Sequence, residues 1–163
     1  MNSLRTPRAA AVAAGLLAAC AAALAAAASG YRPRIDYQLN CQGCHLADGS
    51  GEAGRVPSIR GMLVPFAELP VGRAYLIQVP GVSESSLSDG ATAALLNWMM
   101  RRLSDLPLPR HYVAFTAEEV ARRRRIPLAN VAAARKSVQR ALAAHTPSRA
   151  RSTAVRSTDR SPM

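Results

Sequence analysis

Aromatic side chains are scarce in this chain of 163 residues: two Phe, four Tyr and one Trp, 4% of the total. So few rings cannot alone supply the apolar bulk of an ordinary core. Cysteine is scarce too. Of Cys20, Cys41 and Cys44, the first lies in an N-terminal apolar run, so no disulfide framework is available. No internal repeat is present, which excludes a solenoid or propeller. Acidic residues are few, ten against 21 Lys and Arg, for a net charge of +11.

That charge is unevenly placed. Residues 29–100 carry five Arg against six Asp and Glu, a net of −1. Residues 101–163 carry fourteen Arg and Lys against four Asp and Glu, a net of +10. Two readings fit such a run. One is a solvated, Arg-rich extension. The other is a docking surface for an acidic protein or an anionic lipid.

The N-terminus indicates the compartment. Arg5 and Arg8 form a positive region, an Ala/Leu/Val run spans Ala9 to Ala28, and Ala26-Ala27-Ala28 fits a small-residue cleavage site before Ser29. Residues 1–28 are therefore expected to be a signal peptide. About 20 apolar residues are also long enough for a membrane helix, although alanine is weakly hydrophobic for that task. Leu17-Ala18-Ala19-Cys20 in turn matches a lipobox, with Cys20 as the lipidated residue. Cleavage, an uncleaved anchor and a lipidated Cys20 all place residues 30 onward outside the cytoplasm. The expected location is the periplasm, with membrane association in the two latter cases. Nucleic acid is not an expected partner there, despite the basic charge.

Cys41-Gln42-Gly43-Cys44-His45 is the pattern of covalent c-type haem attachment. Two thiols add across the two vinyl groups, and the next residue offers an imidazole to the iron. A zinc site would need four ligands, and His111 and His145 lie far off in the sequence. A redox dithiol of the thioredoxin kind should follow a strand in a βαβ unit, and none surrounds Cys41. One covalent haem c would also provide much of the core that the aromatic residues cannot. The chemistry of such a protein is mostly the cofactor's.

The remaining pattern reads as all-helical. Residues 35–44 form a short helix into the pentad, and residues 46–61 are a Gly- and Pro-punctuated loop. Residues 72–79 form a helix that Pro80-Gly81 stops. Ser88 caps a longer helix to about Leu103, with Thr92, Leu95, Leu96, Met99 and Leu103 along one face. Leu106-Pro107-Leu108-Pro109 is a linker. Thr116 and Glu119 form a capping box for a helix through the Arg122–Arg125 run, ended by Pro127. A last helix covers about Leu128 to Ala144, with Leu128, Val131, Val138 and Leu142 in one stripe. The expected organisation is a domain at 29–105, a basic helical extension at 106–144 and a disordered tail at 145–163.

From about Tyr31 to Leu103 the chain resembles the class I cytochrome c family. After His45, Asp48-Gly49-Ser50-Gly51 is similar to the family's D-G-x-G loop. Twelve residues after His45, Pro57-Ser58-Ile59-Arg60-Gly61 is similar to its P-x-L-x-G segment. Arg73-Ala74-Tyr75-Leu76 looks like its R-x-Y-L helix, and Leu87-Ser88-Asp89 through Asn97-Trp98 like its C-terminal helix. Thr116 to Val120 is similar to a segment of cytochrome subunits of bacterial dehydrogenases. The resemblance implies a cytochrome c fold around one haem, held by Cys41 and Cys44, with His45 as the iron ligand. It also implies that the Pro57 carbonyl accepts a hydrogen bond from the other imidazole nitrogen, fixing the ligand's tautomer.

One departure concerns the other side of the iron. The family carries a Met-Pro pair between the two helices, its methionine being the sixth ligand. Here Val79 precedes Pro80. Met99, Met62 and Met100 are the candidate replacements, each with core packing as its ordinary role. Met99 lies 54 residues after His45, a spacing within the family's usual range. An open sixth position is the other outcome. The expectation is a secreted monohaem electron carrier or electron-transfer subunit, not an enzyme, serving a periplasmic dehydrogenase, cytochrome or oxidase. The alternative is a five-coordinate haem protein, a gas sensor or weak peroxidase. Near the Val79 loop only Glu84 could act as a distal acid or base.

Overall fold

The computed structural model describes the backbone of residues 32–157 and the side chains of residues 32–145; the expected signal peptide and Cys20 lie outside them. Among these residues the chain is all-α. An isolated antiparallel bridge, Glu52 with Val56, is formed, but no strand. The helices are α1 (32–40), α2 (Gln42–His45), α3 (Leu63–Ala67), α4 (Pro70–Gln78), α5 (Pro80–Ser83), α6 (Asp89–Arg102), α7 (Ala117–Arg123) and α8 (Val131–Ser157).

Local chemistry accounts for most boundaries. Ser88 Oγ accepts from the Ala91 N–H at 3.2 Å and opens α6. Asp89 in its first turn and Arg101 and Arg102 in its last complement the helix dipole. Thr116 Oγ accepts from the Glu119 N–H at 3.2 Å and opens α7. Asn130 Oδ1 does the same for the Ala133 N–H at 2.9 Å, which starts α8 at Val131 rather than at Leu128. Proline sits in the first turn of both α4 and α5, where its missing donor costs nothing. Pro80 thus ends one helix and begins the next. The α8 backbone also runs on to Ser157, beyond the expected end near Ala144. Residues 145–157 hold three Arg and two Ala, strong helix formers, alongside three Ser, two Thr and Pro147.

One core gathers these helices. The expected α6 face is buried at Thr92, Leu95, Leu96, Met99 and Leu103. It meets Tyr37 of α1, Leu63 and Phe66 of α3, and Tyr75 and Ile77 of α4. The few aromatic rings are spent here. Tyr37 and Trp98 pin α1 to α6 with ring centroids 5.5 Å apart, and Phe66 meets Tyr75 edge-on at 5.6 Å. At Gly72 a β-carbon would stand 2.2 Å from the Phe66 carbonyl oxygen, so only glycine lets α4 lie this close to α3.

Residues 106–144 are part of this core rather than an appendage to it. Phe115, Val120 and Val138 are buried in the same cluster, and Leu128, Val131 and Leu142 pack against it. Asn97 of α6 accepts from the Phe115 N–H and the Tyr112 hydroxyl at 2.9 and 2.7 Å, and donates to the Phe115 carbonyl at 2.9 Å. Arg73 of α4 grips Glu119 of α7 with two hydrogen bonds of 3.0 and 2.6 Å. It also donates to the Val113 carbonyl at 2.7 Å and stacks 4.0 Å over the Phe115 ring. None of the helices in the described region is long and apolar enough to cross a membrane.

The Arg73–Glu119 pair is nearly buried, at 14% and 13% side-chain exposure. Removing one partner strands the other charge, so Glu119→Ala should cost about 2–3 kcal/mol in urea denaturation at neutral pH. The Arg73 hydrogen bonds hold the Glu119 carboxyl below its ordinary value of 4.5. Its contribution is therefore present above pH 4.5 and lost as the pH falls through the folded value, so the gap between wild type and Glu119→Ala should close in acid. A gap independent of pH would contradict this.

Candidate functional site

The pentad sits where α1 turns into α2. The Cys41 N–H donates to the Tyr37 carbonyl at 2.9 Å, and the His45 N–H to the Cys41 carbonyl at 2.9 Å. One short turn of helix thus carries Cys41, half-buried, Cys44, exposed, and His45. Tyr37, 1% exposed, anchors the far end of that turn. Its hydroxyl donates to the Leu46 carbonyl at 2.7 Å and more weakly to the His45 carbonyl at 3.3 Å. Burial pushes the Tyr37 hydroxyl up to about 12, so it stays a donor at neutral pH.

The 46–51 turn then carries the chain back towards His45. Asp48 Oδ1 accepts from the Ser50 N–H at 3.0 Å, and the Gly49 carbonyl accepts from the Ile59 N–H at 3.0 Å. Gly51 has φ +71°, and a β-carbon there would lie 2.5 Å from the Val56 carbonyl oxygen. Glycine at 51 is what lets this turn rest on the Val56–Pro57 backbone. Arg60 ties the same turn to the linker, reaching Asp48 at 2.9 Å and Asp105 at 2.6 Å. These groups are exposed, so the ties orient more than they stabilise.

His45 is the focus of this scaffold. Its Nδ1 is buried without a hydrogen-bond partner. The Pro57 carbonyl acts on the ring and favours its protonated form. Burial outweighs it and, with the charge of Arg135, holds the imidazole below its ordinary value of 6.5. His45 is therefore neutral at pH 7, the state in which imidazole binds a metal.

The thiols do not have the electrostatics of a reactive redox pair. Both are free. Burial, then the neighbouring Cys44 and Asp36, pushes the Cys41 thiol up to about 11. That is opposite to the lowered value of a reactive redox dithiol. Among the described residues no three or more His, Cys, Asp or Glu side chains gather as a metal cluster. A zinc ion needs its ligands on one shell of about 2.0–2.3 Å. A porphyrin takes its two thioethers and its iron ligand at separate points, which suits residues that do not converge. The orphaned Nδ1, the neutral ring and the flanking exposed side chains of Leu39 (78%) and Leu46 (49%) all fit such a group.

The candidates for the opposite ligand are scattered. Val79 lies half-buried at the junction of α4 and α5 and packs against the core. Met99 and Met100 are buried in α6 at 6% and 1% exposure. The Met62 sulfur receives the Arg135 guanidinium. His111 lies 3.5 Å from Glu68 and is exposed, and His145 is exposed on α8. Glu84 is exposed on the loop after α5. An open cleft of about 980 Å³ between α1, α6 and the 104–108 linker is lined by Trp98, Met100 and Arg101, but not by Cys41, Cys44, His45 or Pro57.

Tyr37 and Arg135 are site residues that the sequence reading passed over. Tyr37 had a signal, since it stands one helical turn before Cys41. Arg135 had none, because only the return of α8 brings it to His45. Comparison with protein-family models, with curated proteins and with solved structures finds no match for this chain.

The lowered value of His45 has a consequence for the haem-free protein. Unfolded His45 takes a proton before the folded one does, so its contribution to stability is present above pH 6.5 and lost as the pH falls below it. The urea midpoint should therefore drop on acidification through that range, and less so in His45→Asn. Equal slopes for the two proteins would contradict the assignment.

Proposed function

We propose that this protein is a monohaem c-type cytochrome of the class I kind, exported to the periplasm, that carries single electrons between redox proteins. The observation that carries the reading is His45: a neutral imidazole with a buried, unpartnered Nδ1, acted on by the Pro57 carbonyl and next to two uncommitted thiols. Cys41 and Cys44 would hold the haem, His45 would ligate the iron, and Pro57 would orient the ring. When bound, the haem supplies the one-electron couple. The chain contributes position: Tyr37 and Gly51 fix the backbone on both sides of the half-buried His45. The protein is read as a carrier rather than an enzyme because the chemistry of such a site is the haem's own one-electron couple.

One observation favours a second reading. Val79 is an aliphatic side chain where the resemblance calls for a sulfur ligand, and Met62, Met99 and Met100 are each engaged in packing or with Arg135. An iron without a sixth ligand from the chain would bind small neutral ligands. Optical spectra of the haem-loaded protein separate the two. A six-coordinate low-spin form that turns high-spin in one of Met62→Ala, Met99→Ala or Met100→Ala names the ligand and supports the carrier. A high-spin form in the wild type, unchanged in all three variants, supports the open iron.

The redox partners would be a periplasmic dehydrogenase and a downstream cytochrome or oxidase. The charges open to them are exposed ones, such as Arg122, Arg125, Lys136 and Arg140. Exchanging these four for Gln should slow electron exchange with an acidic redox protein several-fold at low salt and leave the high-salt rate unchanged. The same loss at both ionic strengths would remove the docking role.

A further inference from the structure

Leu46, the residue after His45, has φ 54° and ψ 175°. Among the described residues it is the one non-glycine residue with a positive φ; the others of that sign are Gly49, Gly51 and Gly54. A side chain crowds the backbone there, so glycine takes such a conformation freely and leucine does not. Burial of the leucine does not offset this, since the residue is 49% exposed. The backbone at Leu46 is strained, and a group outside the residue holds it.

That group is the Tyr37 hydroxyl. It donates to the Leu46 carbonyl at 2.7 Å and reaches the His45 carbonyl at 3.3 Å. Those two oxygens belong to the peptide groups on either side of the Leu46 α-carbon. Peptide groups are planar, so only φ and ψ of Leu46 set the relative direction of the two. One hydroxyl in contact with both therefore restrains that pair of angles. The other bonds to these oxygens are longer. The Gly49 N–H reaches the Leu46 carbonyl at 3.5 Å, and the Gly51 N–H reaches the His45 carbonyl at 3.4 Å.

Tyr37 is itself fixed, 1% exposed in the core with its ring against Trp98. Its own carbonyl accepts from the Cys41 N–H at 2.9 Å. The same residue thus grips the pentad at both ends, Cys41 by its backbone and His45–Leu46 by its hydroxyl. On the other side of His45, its N–H is bonded to the Cys41 carbonyl at 2.9 Å. With both of its peptide groups fixed, the direction in which the His45 side chain leaves the backbone is fixed as well.

We propose that Tyr37 is a positioning residue for His45: its hydroxyl holds Leu46 in a conformation foreign to leucine, and that conformation aims the imidazole. The inference deepens the haem reading and rests on it for one step, that the imidazole so aimed takes an iron.

The test uses the full-length exported protein with Tyr37→Phe, Leu46→Gly, the two together and, as a control, Leu46→Ala. NMR scalar couplings at residue 46 read φ without reference to haem. In the oxidised, haem-loaded protein the paramagnetic shifts of the haem methyl protons follow the orientation of the axial imidazole. Tyr37→Phe keeps the ring and loses the hydroxyl, so φ at residue 46 should leave the positive region and the methyl pattern should change. Adding Leu46→Gly should restore both, because glycine takes the positive φ unaided. Leu46→Gly alone should raise the folded-to-unfolded ratio in urea about fivefold with the wild-type methyl pattern, and Leu46→Ala should not raise it. If Tyr37→Phe alone does not accumulate, recovery in the double variant carries the comparison, and failure of both would overturn the proposal. A positive φ retained in Tyr37→Phe would overturn the hold on Leu46. A changed φ with an unchanged methyl pattern would overturn the aiming of His45. A φ that follows the hydroxyl in a chain that takes up no haem would overturn the haem reading, while leaving the hold on Leu46 in place.

Discussion

The structure turns on holding one half-buried imidazole neutral between two fixed stretches of backbone. Burial of His45 does the first, because a charged ring with an unpartnered Nδ1 would be poorly solvated there. Tyr37 and the 46–51 turn do the second. The buried hydroxyl of Tyr37 takes the carbonyl just after His45, and Gly51 lets the returning chain bring Pro57 alongside. Each feature is costly alone: an orphaned nitrogen, a buried hydroxyl, a left-handed turn. Together they hold the ring of His45, on which the Pro57 carbonyl acts, with its Nδ1 buried and unpartnered.

Arginine does a different job here from the one its abundance suggests. Arg73 and Arg124 are used up inside the protein, the first joining α4 to α7 and the second holding the 82–87 loop. Arg135 is turned toward Met62 and His45. The C-terminal region is thus a strap around the pentad domain, with Phe115, Val120 and Val138 driven into the common core. What remains for partners is the exposed subset of its charge. The scarcity of aromatic rings is met partly by this strap, which adds aliphatic bulk where α3, α4 and α6 meet.

Sequence made the local chemistry legible. The Ser88 and Thr116 caps, the α6 stripe and the stripe of the last helix all stand in the fold, because caps and periodicity act over a few residues. Helices α3 and α5 escaped notice, since four or five residues carry no period to read. The long-range grips were invisible for another reason. Arg73 and Glu119 stand 46 positions apart, Arg124 and Ser83 41, and nothing local marks an arginine as internal rather than solvated. The domain boundary expected near residue 105 followed the extent of the family resemblance, and buried side chains from both sides of it share one cluster.

The central claim is that Cys41 and Cys44 carry a haem and His45 ligates its iron. The most direct measurement is the intact mass of the exported protein, produced alongside the c-type haem attachment machinery and extracted with acidified acetone. The account predicts a mass raised by one haem that survives extraction, with neither thiol open to alkylation. A chain at its bare polypeptide mass, with Cys41 and Cys44 both alkylated, would contradict it.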